Sequence, residues 1–165
     1  MTVTAEKSTQ VTNMEAAPPV KLNAGELHGR MRIARFTFTQ GAAAGDANST
    51  ADLVKLPPGK NITLPKNLSR FVCSAFGASR VLDIGHTGYA NIDGTAVAAA
   101  ADVILDGADV SAAAIGSMGA GTNALTANDA FVFDNRSGVT IQAKCTGGTI
   151  PAGATLNGYF VYIED

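Results

Sequence analysis

The chain of 165 residues contains no tryptophan, two cysteines, two histidines and 6% aromatic residues. Its charged residues amount to 16%, where an average globular protein carries about 25%. Each shortage removes a class of function. His28 and His86 stand alone, and neither falls near Cys73 or Cys145 at ligand spacing, so nothing in the sequence supports a zinc site. The few aromatics fall largely within strand-like runs, which argues against the exposed ring platforms of a sugar site. Long apolar runs are also missing. The most apolar stretch, Ala96 to Leu105, is interrupted by Asp102 and is far short of a membrane span. The opening MTVTAEKSTQ has no apolar h-region, so the chain reads as made, and at first kept, in a cytosol. A formal net charge of −2 gives no reason to expect nucleic acid as a partner.

Reactive constellations are equally scarce. Pro58-Gly59-Lys60-Asn61 lacks the upstream glycine and the hydroxyl of a phosphate loop. Gly116-Ser117-Met118-Gly119 lacks glycine two residues either side of the serine, as a nucleophile elbow requires. Asp93, Asp102, Asp106 and Asp109 match no calcium-loop spacing and read as solvated loop carboxylates. The expectation is therefore no catalytic residue, no metal, no cofactor and no enzymatic activity.

What is present is a strand grammar. Residues 30–165 read as one all-β domain, a β-sandwich of jelly-roll kind with seven or eight short strands, preceded by an extended arm over residues 1–29. The arm is polar and broken by Pro18 and Pro19, with Val20, Leu22 and Leu27 able to fill pockets on a partner. Met31 to Thr39 alternates Ala34, Phe36 and Phe38 against Arg35, Thr37 and Thr39. Short strands follow at Ala51 to Leu56 and Asn61 to Leu64.

Leu68 to Gly85 reads as a central β-hairpin, with Phe71, Cys73 and Ala75 inward, Gly77-Ala78-Ser79 as the turn, and Leu82 and Ile84 on one face of the returning strand. His86 to Gly94 reads as a loop. Val97, Ala101, Ile104 and Ala108 recur at near-helical spacing, so a short helix fits between Thr95 and Leu105. Ser117 to Thr126 reads as loop, and Ala130 to Phe133 as strand. Val139, Ile141, Ala143 and Cys145 then alternate strictly with Thr140, Gln142 and Lys144. Thr155 to Glu164 closes the chain, apolar on both sides, and is expected to be central or covered by a partner. The predicted core comprises Phe36, Phe38, Phe71, Cys73, Leu82, Ile84, Ile141 and Val161. The two cysteines are expected to be buried thiols.

Charge is distributed in blocks. Lys55, Lys60, Lys66, Arg70 and Arg80 fall between Leu53 and Leu82 with no acid among them, whereas Asp83 to Asp134 contains acids and no base. Sheet folding either interleaves the blocks or leaves one basic and one acidic edge. In the second case Lys55, Lys60 and Lys66, with the arm residues Pro18, Pro19, Val20, Leu22 and Leu27, are the candidates for an interface with another copy or an acidic partner surface.

The run from Asp52 to the C-terminus resembles a family of small proteins from tailed bacteriophages, the capsid decoration (cement, or head-stabilisation) proteins. The matching text is Ala-Asp-Leu-Val-Lys-Leu-Pro-Pro-Gly at 51–59 and Phe-Gly-Ala-Ser-Arg-Val-Leu-Asp-Ile-Gly at 76–85. It continues through the Asp106-Gly107-Ala108-Asp109 loop, the Gly147-Gly148-Thr149 turn and the strand Gly158-Tyr159-Phe160-Val161-Tyr162. The arm and the strand Met31 to Thr39 lie outside it. The resemblance implies a sandwich that binds the outside of an expanded head and ties major capsid protein subunits together. It also implies a homo-oligomer, a trimer before a dimer, located on the virion surface and assembled in the host cytoplasm. The alternative is a tail- or fibre-associated or carbohydrate-binding module.

Overall fold

The computed structural model describes residues 16–18, 30–65, 67–119 and 130–164, and its regular structure is all strand. In chain order these are β1 (Arg30–Thr39), β2 (Thr50–Leu56), β3 (Lys60–Pro65), β4 (Arg70–Cys73), β5 (Val81–His86) and β6 (Tyr89–Ala90). Then come β7 (Ala96–Val97), β8 (Ala100–Asp109), β9 (Ala114–Ser117), β10 (Ala130–Asn135), β11 (Val139–Thr146) and β12 (Thr155–Glu164).

Two antiparallel sheets face one another. The larger runs β10-β3-β12-β4-β9, with β1 added along β12, and the smaller runs β2-β11-β5-β8. The closing strand β12 is the centre of the larger sheet, as its two apolar sides lead one to expect. It pairs with β1 over its whole length on one side and with both β4 and β3 on the other.

Period-two alternation decides what goes inside. In β11, Val139, Ile141, Ala143 and Cys145 are buried while Thr140, Gln142, Lys144 and Thr146 are not. Across the gap, Phe36, Ile62, Leu64, Phe71, Cys73, Phe133, Leu156 and Phe160 complete the core. Of the predicted core residues, Phe36, Phe71, Cys73, Leu82, Ile84 and Ile141 are buried in this cluster and Phe38 is half-buried against it, whereas Val161 is buried on the opposite, outward side of β12. Cys73 and Cys145 are free thiols, on β4 of one sheet and β11 of the other. Burial pushes both thiols above their ordinary pKa, the backbone hydrogen bond with Ala114 at Cys73 and the positive Arg80 near Cys145 pulling the other way. Inert buried thiols are the consequence.

Three expectations are corrected. Leu68 to Gly85 is not a hairpin, because β4 belongs to the larger sheet and β5 to the smaller. Alternation tells which face of a strand is inward but not which sheet the strand joins. The supposed turn is a crossing between sheets. Ala75 is exposed and Phe76 is buried in its place, its N–H donating to the Val110 carbonyl at 2.8 Å. Gly77 at φ +106° and Ser79 at φ +60° redirect the chain.

The helix at Thr95 to Leu105 is likewise replaced by β7 and β8. Pairing of β5 with β8 shifts register twice, and Val103, Ile104 and Leu105 are buried in succession. Such irregularities break strict alternation and leave apolar residues at helix-like spacing. Finally, His86 ends β5 and is buried, and part of the expected loop from Ser117 is preceded by β9, whose last residue is Ser117.

Close packing at β12 has a measurable consequence. A Cβ on Gly158 would lie 2.3 Å from the Arg70 carbonyl oxygen and 2.7 Å from the Phe36 ring, which stacks near Phe160 with centroids 5.4 Å apart. Gly158→Ala is therefore expected to destabilise the domain by about 1–3 kcal/mol in urea unfolding, since the backbone oxygen has nowhere to move.

Candidate interaction surface

The two outward faces of the sandwich differ. On the smaller sheet the outer face is polar: Gln142 Nε2 donates to Asp52 Oδ1 at 2.9 Å, Thr140 lies beside Lys55, and Lys144 lies beside Asp83. Asp83 Oδ1 in turn accepts the Gly107 N–H at 2.8 Å.

The outer face of the larger sheet is apolar. Pairing register lays its side chains in transverse rows, because residues opposite one another share a face. Met31, Ile163, Thr63 and Val132 form one row across β1, β12, β3 and β10. Ile33 and Val161 form the next, and Leu68 completes a shallow groove with Met31, Ile33, Arg35, Tyr159 and Val161. Val161 is its buried floor, and its N–H donates to Ser69 Oγ at 3.0 Å. A third row reads Arg35, Tyr159, Arg70 and Ser117. The fourth reads Thr37, Asn157, Val72 and Ile115.

Met31, Ile33, Leu68, Val72, Ile115 and Val132 are all exposed large apolar side chains, with Ile115 at 82% and Met31 at 63%. Of the large apolar side chains exposed among the described residues, only Ile92 lies elsewhere. Scattered exposed apolar residues are ordinary, but a contiguous group on one sheet face marks an interaction site. Asn157 Oδ1 lies on the same face, enclosed and without a hydrogen-bond partner. Arg35 and Arg70 place positive charge within the apolar field.

The sequence-derived interface residues fall apart in space. Lys55 is on β2 of the smaller sheet and Lys60 opens β3 of the larger, so the basic block is divided between sheets. Pro18 is exposed, while Pro19, Val20, Leu22, Leu27 and Lys66 lie outside the described residues. Alternation in the sequence puts Tyr159, Val161 and Ile163 on one side of β12 but does not link them to Met31, Ile33, Val72 and Ile115. No local pattern joins these strands, which only the pairing register brings side by side.

Among the described residues no group of three metal-ligating side chains occurs. Asp93 Oδ1 and Asp109 Oδ1 accept the N–H groups of Thr95 and Ser111 at 2.7 and 2.8 Å, and those hydrogen bonds hold both carboxyls below the ordinary range. They are turn-forming carboxylates.

No family model matches this chain, and no curated protein matches it. Among solved structures, its fold is similar to a chain of the cyanophage Pam1 capsid asymmetric unit, with a TM-score of 0.52 and 9% identity over 82% of this chain and 85% of that one. A chain from infectious bursal disease virus, Gx strain, matches with a TM-score of 0.47 and 12% identity over 82% of this chain and 32% of that one. At these identities the likeness is one of fold, an all-β sandwich.

Proposed function

We propose that this protein is a structural virion component, a decoration or cement protein that binds the outer surface of a tailed-phage head and ties neighbouring major capsid protein subunits together. The observation that carries this reading is the one-sided surface: six exposed apolar residues on the outer face of one sheet and a polar outer face on the other. A sandwich built in this way has one side to dock and one side to leave in water. The sequence resemblance to decoration proteins and a fold like that of a chain in a phage capsid asymmetric unit support the same reading.

Such a protein acts without chemistry. A clamp that touches two or three subunits binds only the lattice that presents all its sites together, so occupancy and shell stability are linked by mass action. Association into a trimer, or a dimer, would multiply the grip through effective concentration. Residues 1–29 serve in this reading as a strap laid over a neighbouring subunit.

The test uses heads of the phage that carries the gene, prepared without this protein. Added protein is expected to bind at a fixed ratio to capsid subunits and to raise the temperature at which heads rupture. Heads that neither bind it nor gain stability would overturn the reading, as would a turnover assay in which the pure protein consumes a substrate.

A further inference from the structure

The groove on the outer face of the larger sheet ends in charge. Met31, Ile33 and Leu68 wall it, Val161 floors it, and Arg35 and Tyr159 close one end. Pairing register extends that end into a row. Arg35 of β1 lies opposite Tyr159 of β12, and Tyr159 lies opposite Arg70 of β4. Residues directly opposite one another share a face, so two guanidinium side chains flank one phenol. Both arginines are exposed and Tyr159 is half-buried.

Strand spacing sets the scale. Adjacent strands lie about 4.8 Å apart, which puts the backbones of Arg35 and Arg70 roughly 10 Å from each other. Two long side chains starting from that separation reach a single carboxylate held above Tyr159, and the phenol hydroxyl adds a third donor. Along the strands, the row of Ile33 and Val161 is two residues from the arginine row, or roughly 6.8 Å. The same distance separates alternate side chains of any extended peptide. An apolar residue in the groove therefore brings an acid two positions away onto the arginines.

Charge selects the occupant. The four transverse rows of this face contain Arg35 and Arg70 and no acid. Arg32, which is ion-paired with Glu164, alternates to the other side of β1. A second copy laid face to face brings the same two arginines and, from these rows, no carboxylate. Nucleic acid is a poor fit, because a run of phosphates needs a run of cations and would leave Met31, Ile33 and Leu68 uncovered. A protein segment that mixes apolar and acidic residues meets both halves of the site.

We propose that the groove and the arginine row form one recognition site for an extended segment of a partner protein, in which an apolar side chain fills the groove and an aspartate or glutamate two residues away lies over Tyr159 between Arg35 and Arg70. A carboxylate there accepts charge-assisted hydrogen bonds from both guanidinium groups, which fixes the position of the segment along the strands. The inference rests on the docking reading of the same face and names the chemistry that the shell must present to it.

The test is made in solution, by nuclear magnetic resonance on the isotope-labelled full chain. The probes are acetyl-Thr-Leu-Thr-Glu-Thr-amide, the same peptide with glutamine for glutamate, and one with leucine and glutamate adjacent. The first is expected to shift the resonances of Met31, Ile33, Leu68 and Tyr159 and the side-chain N–H signals of Arg35 and Arg70. The other two are expected to bind about tenfold more weakly, having lost the hydrogen bonds to a charged group. Arg35→Gln and Arg70→Gln should each remove most of the preference for glutamate over glutamine. Arg136→Gln, exposed between β10 and β11, should keep it. The amide spectra of the free variants check that each remains folded. Equal affinity for the three peptides, shifts confined to other residues, or no binding at millimolar peptide would each overturn the proposal. So would concentration-dependent broadening of the same resonances without peptide, which would assign the face to a second copy. Heads that still bind the protein while the peptides fail would end this inference and leave the docking reading standing.

Discussion

Replacing Phe133 with alanine is expected to cost about 3–5 kcal/mol, among the largest single losses available to this domain. Phe133 is wholly buried on β10 and stands at the centre of an aromatic group. Its ring centroid lies 4.3 Å from Phe131, 5.5 Å from His86 and 5.7 Å from Tyr89. The group joins β10 of the larger sheet to β5 of the smaller and to the β6–β7 ribbon, so truncation opens a cavity where the two layers meet. His86 Nδ1–H donates to the Thr87 carbonyl at 2.9 Å, which fixes the ring in place and limits collapse into the hole. Against a total stability of roughly 5–15 kcal/mol, such a loss is a large share. Urea unfolding with unchanged slope and a midpoint shifted by this amount is the expected result. A loss below about 1 kcal/mol would show that the layers are held elsewhere.

This cluster also shows where sequence reading stops. Strand positions and inward faces were legible because alternation is a local property: β11 and β12 appear with the bounds and faces that their residues spell out. Partnership between strands is not local. The sequence pattern reads β4 and β5 as a hairpin, whereas they lie in different sheets, and it reads His86 and Tyr89 as loop, although both pack on Phe133. In β8, register shifts produced a helical period in a strand. The apolar face is half legible. Tyr159, Val161 and Ile163 could be seen to form one side of the last strand, but Met31 and Ile33 join them only through the β1–β12 register, and Val72 and Ile115 only through β4 and β9.

The separation of polar and apolar faces has an energetic consequence beyond location. An exposed apolar face adds little to the isolated domain, yet it can contribute on the order of 25 cal/mol for each Å² removed from water on docking. Arg35 and Arg70, set within the third row, favour a partner that brings carboxylates to the same place and disfavour one that brings cations. Apolar area then supplies affinity, and the arginines fix register.

It follows that a carboxylate placed on this face should separate docking from folding. Ile115→Glu and Val132→Glu each change an exposed side chain at one end of the face, so each should alter the stability of the free domain by no more than about 0.5 kcal/mol. In the docked state the same carboxylate loses its water without a prepared partner, and a penalty of roughly 3 kcal/mol is the modest expectation for an unpaired charge in a desolvated contact. That penalty corresponds to at least about a hundredfold weaker binding to heads. Thr140→Glu, on the polar face of the smaller sheet, serves as the control and should bind as the parent does. Cosedimentation with purified heads over a range of protein concentrations gives all three affinities. Loss in both face variants places the whole sheet against the shell, and loss in one alone shows which end docks. Unchanged affinity in both would mean that this face does not touch the capsid, whatever the protein does there.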